Sequence, residues 1–363
     1  MRLLIAPDKF AGTLTAVQAA EAIAEGWARQ APGDALDLAP MSDGGPGFVG
    51  VLNATLGGEL LAGTVTGPVA AAPEVPSTLL VSDGTAYVES AQACGVHLTG
   101  GRDAEHASSY GVGELLAQAL VAGARRIVVG LGGSGTNDGG AGLLAALGAT
   151  ADVPLDRGVA GLEDLRSVDV AAARERLAGV ELVAASDVDS PLTGLFGATK
   201  TFGPQKGIPE AELPRWDAAL ERLAAATDRR MSLEPGAGAA GGLGFALMLL
   251  GAARVPGIEL VARVTDLAAR ARRADVVVTG EGAFDFSSRA GKVPAGVAAV
   301  AAEALRPCVA LAGQVLVGSR EMRALGMDSA YSLVDAVGEE RAFADPAGAL
   351  ADLAQRVART WSG

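Results

Sequence analysis

Short aliphatic runs alternate with amphipathic helical stretches along most of this 363-residue chain. Strands of four or five aliphatic residues, each followed by a helix, are typical of an α/β protein whose sheet is mostly parallel. The predicted strands cover residues 2–6, 35–39, 126–130, 181–185, 275–279 and 308–312. The predicted helices cover residues 15–29, 111–122, 210–230, 294–305 and 346–361. Thr15 and Gln18 have the spacing of a capping box at the start of the first helix.

Composition and charge exclude several classes of protein. A mass of 36.1 kDa and a hydrophobic content of 50% allow a large aliphatic core, and the length predicts two domains. The net charge of −13 repels nucleic acids and anionic membranes, so we expect neither as a partner. Small anions must then be bound by local loops. The longest apolar runs fall short of the ~20 residues that span a bilayer.

Three further features of the sequence indicate where the protein is located and which residue types could catalyse a reaction. Cys94 and Cys308 are the two cysteines, which do not suggest a disulfide framework. The opening residues MRLLIAPD turn polar too early for a secretory signal, so we expect a cytoplasmic protein. His97 and His106 lie away from the glycine-rich segments. If the chain is an enzyme, a carboxylate is therefore the expected base.

Lysine is rare in this chain, with four lysines against twenty-five arginines. Lys9, Lys200, Lys206 and Lys292 all lie in short segments rich in Gly, Pro, Ser and Thr. A compact, rotatable ammonium binds phosphate as a point charge, a task for which the planar guanidinium of arginine is less suited. The pattern favours phosphate chemistry. Chance clustering, or a role in stabilising loops, is the alternative.

Acidic residues follow five of the predicted strand regions. Seven carboxylates occupy these positions, namely Asp8, Asp43, Asp138, Asp187, Asp189, Glu281 and Asp285. Open α/β sheets bind ligands beyond the carboxyl ends of their strands, so these groups could converge on one cleft. Aspartate is also favoured at helix caps and in turns, so any one of these acids, taken alone, could have a purely structural role.

Two glycine-rich runs suggest loops that hold phosphate. The first, GLGGSGTNDGGAG, follows a strand and precedes an apolar stretch, so its amides could bind phosphate oxygens. The pattern GxGxxG also occurs in the second run, but neither match has the context of a dinucleotide-binding unit, and no ordinary P-loop is present. Close packing of helices and strands is the alternative. The candidate nucleotide-binding residues are Gly132, Gly133, Ser134, Gly135, Thr136, Asn137, Gly238 and Gly241.

Six separated segments together resemble the glycerate kinase family of bacterial type. In order they are IAPDKFAGTLTA, PMSDGG, GLGGSGTNDGGAG, SDVDSPLTG with FGPQKG, GAGAAGGLG, and VVTGEGAFD with AGKVP. The resemblance covers essentially the whole chain. It implies ATP-dependent phosphorylation of D-glycerate, usually at the 2-hydroxyl, with Mg²⁺ as cofactor.

The resemblance also implies two α/β domains. A Rossmann-like domain of parallel sheet, formed by both chain ends, would hold residues 1–62 and 258–363, and a second α/β domain, residues 63–257, would be inserted. The segments 63–76 and 255–257, punctuated by Pro and Gly, agree with junctions at these places. We expect a monomer or a homodimer with ATP and D-glycerate as its small-molecule partners.

Three departures from the family pattern leave the substrate open. Ala11 stands where members commonly carry Lys, Pro46 to Phe48 stand where they carry Glu-Gly-Thr, and Phe286 stands where Gln is frequent. A kinase for another small hydroxy acid or sugar acid is therefore an alternative. A non-catalytic nucleotide sensor is the second alternative. Neither the product, 2- or 3-phosphoglycerate, nor the pathway follows from the sequence.

The resemblance and the residue types together suggest roles. Lys9 would meet the charge of the substrate or of a phosphate, Lys206 would meet the transferring phosphoryl group, and Asp187 would be the base or orienting group for the hydroxyl. Asp189 and Asp138 are the candidate metal ligands, and the residues leave open which carboxylate binds metal. The candidate substrate-binding residues are Asp8, Lys9, Asp43, Gly44, Gly45, Glu281 and Asp285.

Overall fold

The computed structural model describes residues 1–10, 12–285 and 292–362. Two of the three departures from the family pattern, Ala11 and Phe286, lie outside the described residues. The third departure, at Pro46, is described. Lys292 and every candidate site residue are described as well.

The chain forms two compact units, each of which contains its own sheet. The first unit consists of Met1–Asp43, Gly50–Gly57 and Gly257–Gly363. The second consists of Gly44–Val49 and Gly58–Pro256. The chain therefore passes from the first unit to the second between Asp43 and Gly44, inside the predicted site segment PMSDGG.

The strands of the described residues fall into two large sheets and one small antiparallel pair. They are β1 (Arg2–Ile5), β2 (Ala35–Leu38), β3 (Glu59–Val69), β4 (Ala72–Ser82), β5 (Thr85–Glu89), β6 (Arg126–Gly130), β7 (Thr150–Ala151), β8 (Val168–Asp169), β9 (Glu181–Ala185), β10 (Ala253–Val255), β11 (Val276–Phe284), β12 (Cys308–Val315) and β13 (Ser329–Ser332). The six predicted strands are confirmed as β1, β2, β6, β9, β11 and β12. The last two continue several residues beyond their predicted ends.

Helices connect most of these strands. They are α1 (Ala16–Gln30), α2 (Phe48–Leu56), α3 (Ala91–Cys94), α4 (Val96–Thr99), α5 (Tyr110–Val121), α6 (Ala141–Ala146), α7 (Ala171–Arg176), α8 (Ala198–Phe202), α9 (Leu213–Ala226), α10 (Leu243–Leu249), α11 (Gly257–Val264), α12 (Leu267–Arg273), α13 (Val293–Glu303), α14 (Ser319–Ala324), α15 (Leu333–Val337), α16 (Glu339–Ala344) and α17 (Pro346–Trp361). The capping box of Thr15 and Gln18 is confirmed. None of the helices within the described ranges is long and apolar enough to cross a membrane.

The sheet of the first unit is parallel throughout and uses both ends of the chain. Its strand order is β13-β12-β11-β1-β2. β1 and β11 lie side by side inside the sheet. The chain adds β2 on one side of this pair, and β12 and β13 on the other. The strand order therefore reverses between β1 and β11, which is the topological switch of a doubly wound sheet. The predicted Rossmann-like domain built from both chain ends is confirmed.

The sheet of the second unit is mixed, with the order β10-β9-β6-β5-β4-β3. The strands from β5 to β10 pair in parallel, whereas β3 and β4 form an antiparallel hairpin that pairs with β5. The interpretation of residues 63–76 as a junction is wrong, because they lie inside this hairpin. Its Gly and Pro residues are tolerated since β3 is an edge strand and β4 pairs with β5 only at its end. The predicted domain limits at 62/63 and 257/258 stay predictions.

The core of the first unit depends on a close helix crossing. α1 packs on the terminal helix α17, and Trp27 and Leu353 are among the residues buried there. Gly26 of α1 faces the backbone of α17, where an added Cβ would lie 1.8 Å from the carbonyl oxygen of Ala351. The two helices can approach this closely because residue 26 has no side chain.

A matched pair of glycine substitutions tests this crossing. We expect Gly26→Ala to lower the free energy of unfolding by about 1–3 kcal/mol, because the new methyl must push the two helices apart. Gly50→Ala is the control, since Gly50 lies in α2 with nothing within 4 Å of an added Cβ, and it should stabilise the protein by up to ~1 kcal/mol. Urea unfolding midpoints measure both. Equal effects of the two substitutions would contradict the crossing.

Candidate active site

Two predicted site residues of the first unit, Asp8 and Glu281, lie where the strand order of its sheet reverses. β1 leads to Asp8, and its neighbour β11 carries Glu281. The amide of Asp8 donates to the carbonyl of Gly280 at 2.8 Å, which ties the turn after β1 to β11. The Asp8 and Glu281 side chains are buried. Since open α/β sheets bind ligands at this reversal, the turn stands where a ligand is expected.

Lys9 lies beside two carboxylates, that of Asp8 in this turn and that of Asp43 after β2. Its Nζ is 3.7 Å from Oδ1 of Asp8 and 3.7 Å from Oδ1 of Asp43. Burial raises the pKa of Asp8 to about 6, an effect that the charge of Lys9 opposes and that of Asp43 reinforces. The structure thus brings Asp8, Lys9 and Asp43 together. Their contact with a substrate stays a prediction, as does that of Glu281 and Asp285.

A cavity of about 240 Å³ lies in the same unit, next in sequence to these residues. Phe10, which follows Lys9, and Gly282, which follows Glu281, both line it. The rest of its lining is mainly apolar, with Gln314 and Thr13 as its polar side chains. A larger cavity of about 690 Å³ in the second unit contains none of the predicted site residues.

In the second unit, the turn that begins at Gly44 packs against the first glycine-rich loop. The amide of Gly132 donates to the carbonyl of Gly44 at 3.2 Å. A Cβ on Gly132 would lie 2.3 Å from Cα of Gly45, so the two backbones touch. Gly44 and Gly45, the last two residues of the predicted segment PMSDGG, therefore pack directly on the loop GLGGSGTNDGGAG.

Several amides of the first glycine-rich loop already donate within the protein. Besides that of Gly132, the amide of Gly135 donates to the carbonyl of Cys94, and the amide of Thr136 donates to Oγ of Ser134. Within the described part of the chain, the amides of Gly133, Ser134 and Asn137 make no hydrogen bond. A phosphate held by this loop would therefore be bound by these three amides. The nucleotide contacts of all six loop residues stay predictions.

The second glycine-rich run packs on the first. The amide of Gly139 donates to the carbonyl of Gly241, and a Cβ on Gly241 would lie 1.9 Å from the carbonyl oxygen of Thr136. Gly238 faces the carbonyl of Pro191 in the same way. Close packing thus explains why residues 238 and 241 are glycine, which was the alternative reading of this run. Their proposed contact with nucleotide stays a prediction.

Asp138 organises the end of the first loop. Its carboxylate accepts hydrogen bonds from the amides of Gly140 and Gly142 and from both the amide and the hydroxyl of Ser109. Burial raises the pKa of this carboxyl, although these hydrogen bonds oppose the shift. Four donors directed at one buried carboxylate favour a role in holding the loop over the predicted role in metal binding.

Lys206 is an ammonium buried beneath this loop. Its side chain is 3% exposed, and its Nζ donates to the carbonyl of Thr136 at 2.6 Å. Burial lowers the pKa of Lys206 to about 8, and the charge of Asp138 opposes this shift. The FGPQKG segment holds the lysine in a short 3₁₀ turn, Pro204–Lys206. A desolvated cation is thereby fixed to the predicted phosphate loop.

The two acids after β9 have different surroundings. Asp189 is 80% exposed and pairs with Nη2 of Arg254 at 2.6 Å. Asp187 is half-buried, and it follows Ser186, whose amide donates to the carbonyl of Val255. Asp187 and Asp189 therefore do not share one environment, although two residues separate them in sequence. The metal-binding and catalytic roles assigned to them stay predictions.

Two buried carboxylates were missed by the sequence reasoning. Glu89 ends β5 and accepts hydrogen bonds from the amides of Gly47 and Val49. Glu89 is an acidic residue at a strand end, like the seven candidate acids, so it would have been included if β5 had been predicted. Asp217 pairs with Lys200 at 2.9 Å and also accepts the amide of Gly194, which gives Lys200 a structural partner.

No cluster of three or more His, Cys, Asp or Glu side chains suited to a metal ion occurs among the residues that the structure describes. Mg²⁺ needs no such cluster, because it is usually held by one or two carboxylates together with substrate phosphates and water. The exposed carboxylate of Asp189 is of the kind that such a site uses.

Comparison with known proteins agrees with this arrangement of motifs. Residues 3–362 match the Glycerate kinase family. A glycerate kinase of Halalkalibacterium halodurans is 39% identical over 343 residues, which are 92% of this chain and 90% of that protein. The glycerate 2-kinase of Escherichia coli K12 is 37% identical over 349 residues, which are 93% and 92% of the two chains.

A solved structure shows the same fold. The crystal structure of a protein from Salmonella typhimurium LT2, provisionally named glycerate kinase 2, superposes with a TM-score of 0.83 at 35% identity. The match covers 100% of this chain and 98% of that one. The family match spans nearly every residue, and the relatives are similar over nearly their full lengths. This chain therefore belongs to the glycerate kinase family and is a kinase.

Proposed function

We propose that this kinase transfers the γ-phosphoryl group of ATP to the 2-hydroxyl of D-glycerate. Membership of the family supports ATP as donor and glycerate as acceptor. The similarity to the glycerate 2-kinase of Escherichia coli supports the 2-hydroxyl as the site of transfer. The observation that carries the proposal is the buried ammonium of Lys206, bonded to the carbonyl of Thr136 in the glycine-rich loop.

A buried ammonium is costly to a fold, which is why its presence favours function. Desolvation penalises the charged form of Lys206, and the carbonyl of Thr136 compensates only in part. A phosphoryl group that gains negative charge in the transition state would meet this cation without reorganisation of water. We therefore assign Lys206 to the transferring phosphoryl group, and the amides of Gly133, Ser134 and Asn137 to phosphate oxygens.

The remaining roles follow the chemistry of the acceptor. The hydroxyl of glycerate needs a carboxylate to accept or orient its proton, and half-buried Asp187 is the proposed group. The carboxylate of glycerate needs a cation, and Lys9 is the proposed partner. Asp8, Asp43, Glu281 and Asp285 are proposed to surround Lys9 and to bind the hydroxyls of the acceptor.

Mg²⁺ is the proposed metal cofactor, with Asp189 as its first candidate ligand and Asp138 as the second. When bound, the ion would screen the negative charge of the phosphates. Asp189 is exposed and is held by Arg254 in the described structure, so it would exchange that partner for the metal. Asp138 is less suited because its carboxylate already accepts four hydrogen bonds.

The substrate is tested by product analysis. Incubation with ATP, Mg²⁺ and D-glycerate should give 2-phosphoglycerate, which phosphorus NMR distinguishes from 3-phosphoglycerate. A panel of other hydroxy acids and sugar acids in a coupled ADP assay is the control, because Pro46 replaces the usual Glu of the family in a turn of the site. Higher turnover on another acid, or 3-phosphoglycerate as the product, would contradict the proposal.

Lys206→Met separates function from stability. We expect kcat to fall at least about 100-fold, because the cation that meets the transition-state charge is removed. The fold should survive, since methionine has a similar volume and no charge to desolvate. A raised KM for ATP with an unchanged kcat would instead place Lys206 in ground-state binding.

The pH dependence of stability is a second readout of Lys206. Its folded pKa of about 8 lies below the ordinary 10.5, so the folded protein releases this proton first as pH rises. The wild-type protein should therefore gain stability relative to Lys206→Met between pH 8 and about 10.5, by up to ~3 kcal/mol. Urea unfolding of both proteins at pH 7.5 and pH 10 measures the difference. A constant difference would show that Lys206 is not desolvated.

Asp187 and Asp189 are distinguished by a pair of amide variants. Asp187→Asn should lower kcat by roughly 10²- to 10⁴-fold at saturating Mg²⁺, as expected for loss of a positioned base. Asp189→Asn should chiefly raise the Mg²⁺ concentration needed for half-maximal rate. Magnesium titrations of kcat for both variants provide the measurement. The reverse pattern would exchange the two roles, and near wild-type kinetics of Asp187→Asn would remove that residue from catalysis.

A further inference from the structure

The carboxylate of Glu89 lies at the centre of an interaction that the sequence motifs do not reveal. Glu89 is the last residue of β5, and its side chain is 6% exposed. One of its oxygens, Oε2, accepts hydrogen bonds from the amide of Gly47 at 3.1 Å and from the amide of Val49 at 3.3 Å. These amides belong to the start of α2, where a carboxylate is favoured by both the helix dipole and the unpaired donors.

The turn held by Glu89 is the one that contacts the glycine-rich loop. Upstream of Gly47, the carbonyl of Gly44 accepts the amide of Gly132, and the backbone of Gly45 fills the space beside Gly132. Pro46 lies against Gly133, where an added Cβ would be 2.8 Å from Cγ of the proline. Four consecutive residues, 44–47, thus connect the Glu89 carboxylate to the loop.

We infer that Glu89 is a positioning residue for phosphoryl transfer, which acts by fixing the 44–47 turn against the glycine-rich loop. It would not touch the phosphates. Its carboxylate fixes one end of the turn, and the turn holds Gly132 and Gly133 in place. These residues begin the loop whose amides at Gly133, Ser134 and Asn137 are proposed to bind phosphate. The inference rests on the proposed function of that loop.

The chemistry of the interaction explains why an acid is used here. The two amides need an acceptor because they are at a helix start, and a buried donor left unpaired costs about 1–3 kcal/mol. A charged acceptor forms the stronger hydrogen bond and holds the turn more tightly than a neutral one. The amides of Gly47 and Val49 converge on Oε2, so a glutamine whose amide oxygen takes that place would still accept from these two donors.

Two substitutions of Glu89 distinguish positioning from direct chemistry. Glu89→Ala should lower kcat roughly 10- to 100-fold, the effect of a small displacement of phosphate-binding groups. The KM values for ATP and acceptor should change much less. Glu89→Gln should retain at least about a third of the wild-type kcat, because it keeps the acceptor oxygen for both amides. A Gln variant as inactive as the Ala variant, with a normal melting temperature, would overturn the inference in favour of a direct role.

Glu114 provides the matched control. Its carboxylate accepts the amide and hydroxyl of Thr66 at 2.6 and 3.1 Å, also in the second unit, but it holds β3 and not the loop. Glu114→Ala should lower stability less than Glu89→Ala, because its hydrogen bonds are exposed to water, and should leave kcat within about twofold, because the loop keeps its position. An equal loss of kcat in both variants would show that Glu89 acts only through general stability.

Hydrogen exchange tests the connection without any assay of turnover. The amide of Gly132 does not contact Glu89, yet it is bonded to the turn that Glu89 holds. Its exchange should be at least about tenfold faster in Glu89→Ala, and unchanged in Glu89→Gln and Glu114→Ala. This readout stands even if the acceptor is not glycerate. An unchanged Gly132 amide in a folded Glu89→Ala protein would overturn the inference, and if that variant does not fold, the kcat of Glu89→Gln decides.

Discussion

Backbone-to-backbone contact between glycine-rich segments is the constraint on which the candidate site depends. Gly132 touches Gly45, and Gly241 touches the carbonyl of Thr136, at distances that leave no space for a Cβ. Such contacts hold a loop through its main chain, so few side chains are needed to keep it in place. They also consume some of the amides that a sequence pattern would assign to phosphate.

The buried lysine follows from this packing. With the loop held by backbone contacts, the carbonyl of Thr136 can receive the Lys206 ammonium at 2.6 Å in a region from which water is largely excluded. The same burial that lowers the pKa of Lys206 would strengthen its attraction for the phosphoryl group that it is proposed to meet. Asp138 contributes by pairing with four donors at the end of the loop, and Glu89 by holding the turn beneath its start.

The sequence predicted strand positions well because buried parallel strands are continuous aliphatic runs bounded by polar turns. It failed at β3 and β4, where Gly and Pro within an edge hairpin were interpreted as a junction. It singled out Lys9 and Lys206 from the scarcity of lysine, and Asp8 from its place after a strand. It missed Glu89, because β5 was not predicted. It did not distinguish the surroundings of Asp187 from those of Asp189, which is exposed and paired with Arg254.

The sequence alone determined the α/β class and the acids and lysines near strand ends, because these depend on residues close together in the chain. It also determined the resemblance to glycerate kinases, because each of the six motifs is a short continuous segment. The tertiary structure decided which glycines serve packing, which amides are already bonded, and that Lys206 is desolvated. Those properties depend on contacts between segments far apart in sequence, such as residues 136 and 206 or 47 and 89. Burial and hydrogen bonding arise only when such segments meet, so no single stretch of the chain encodes them.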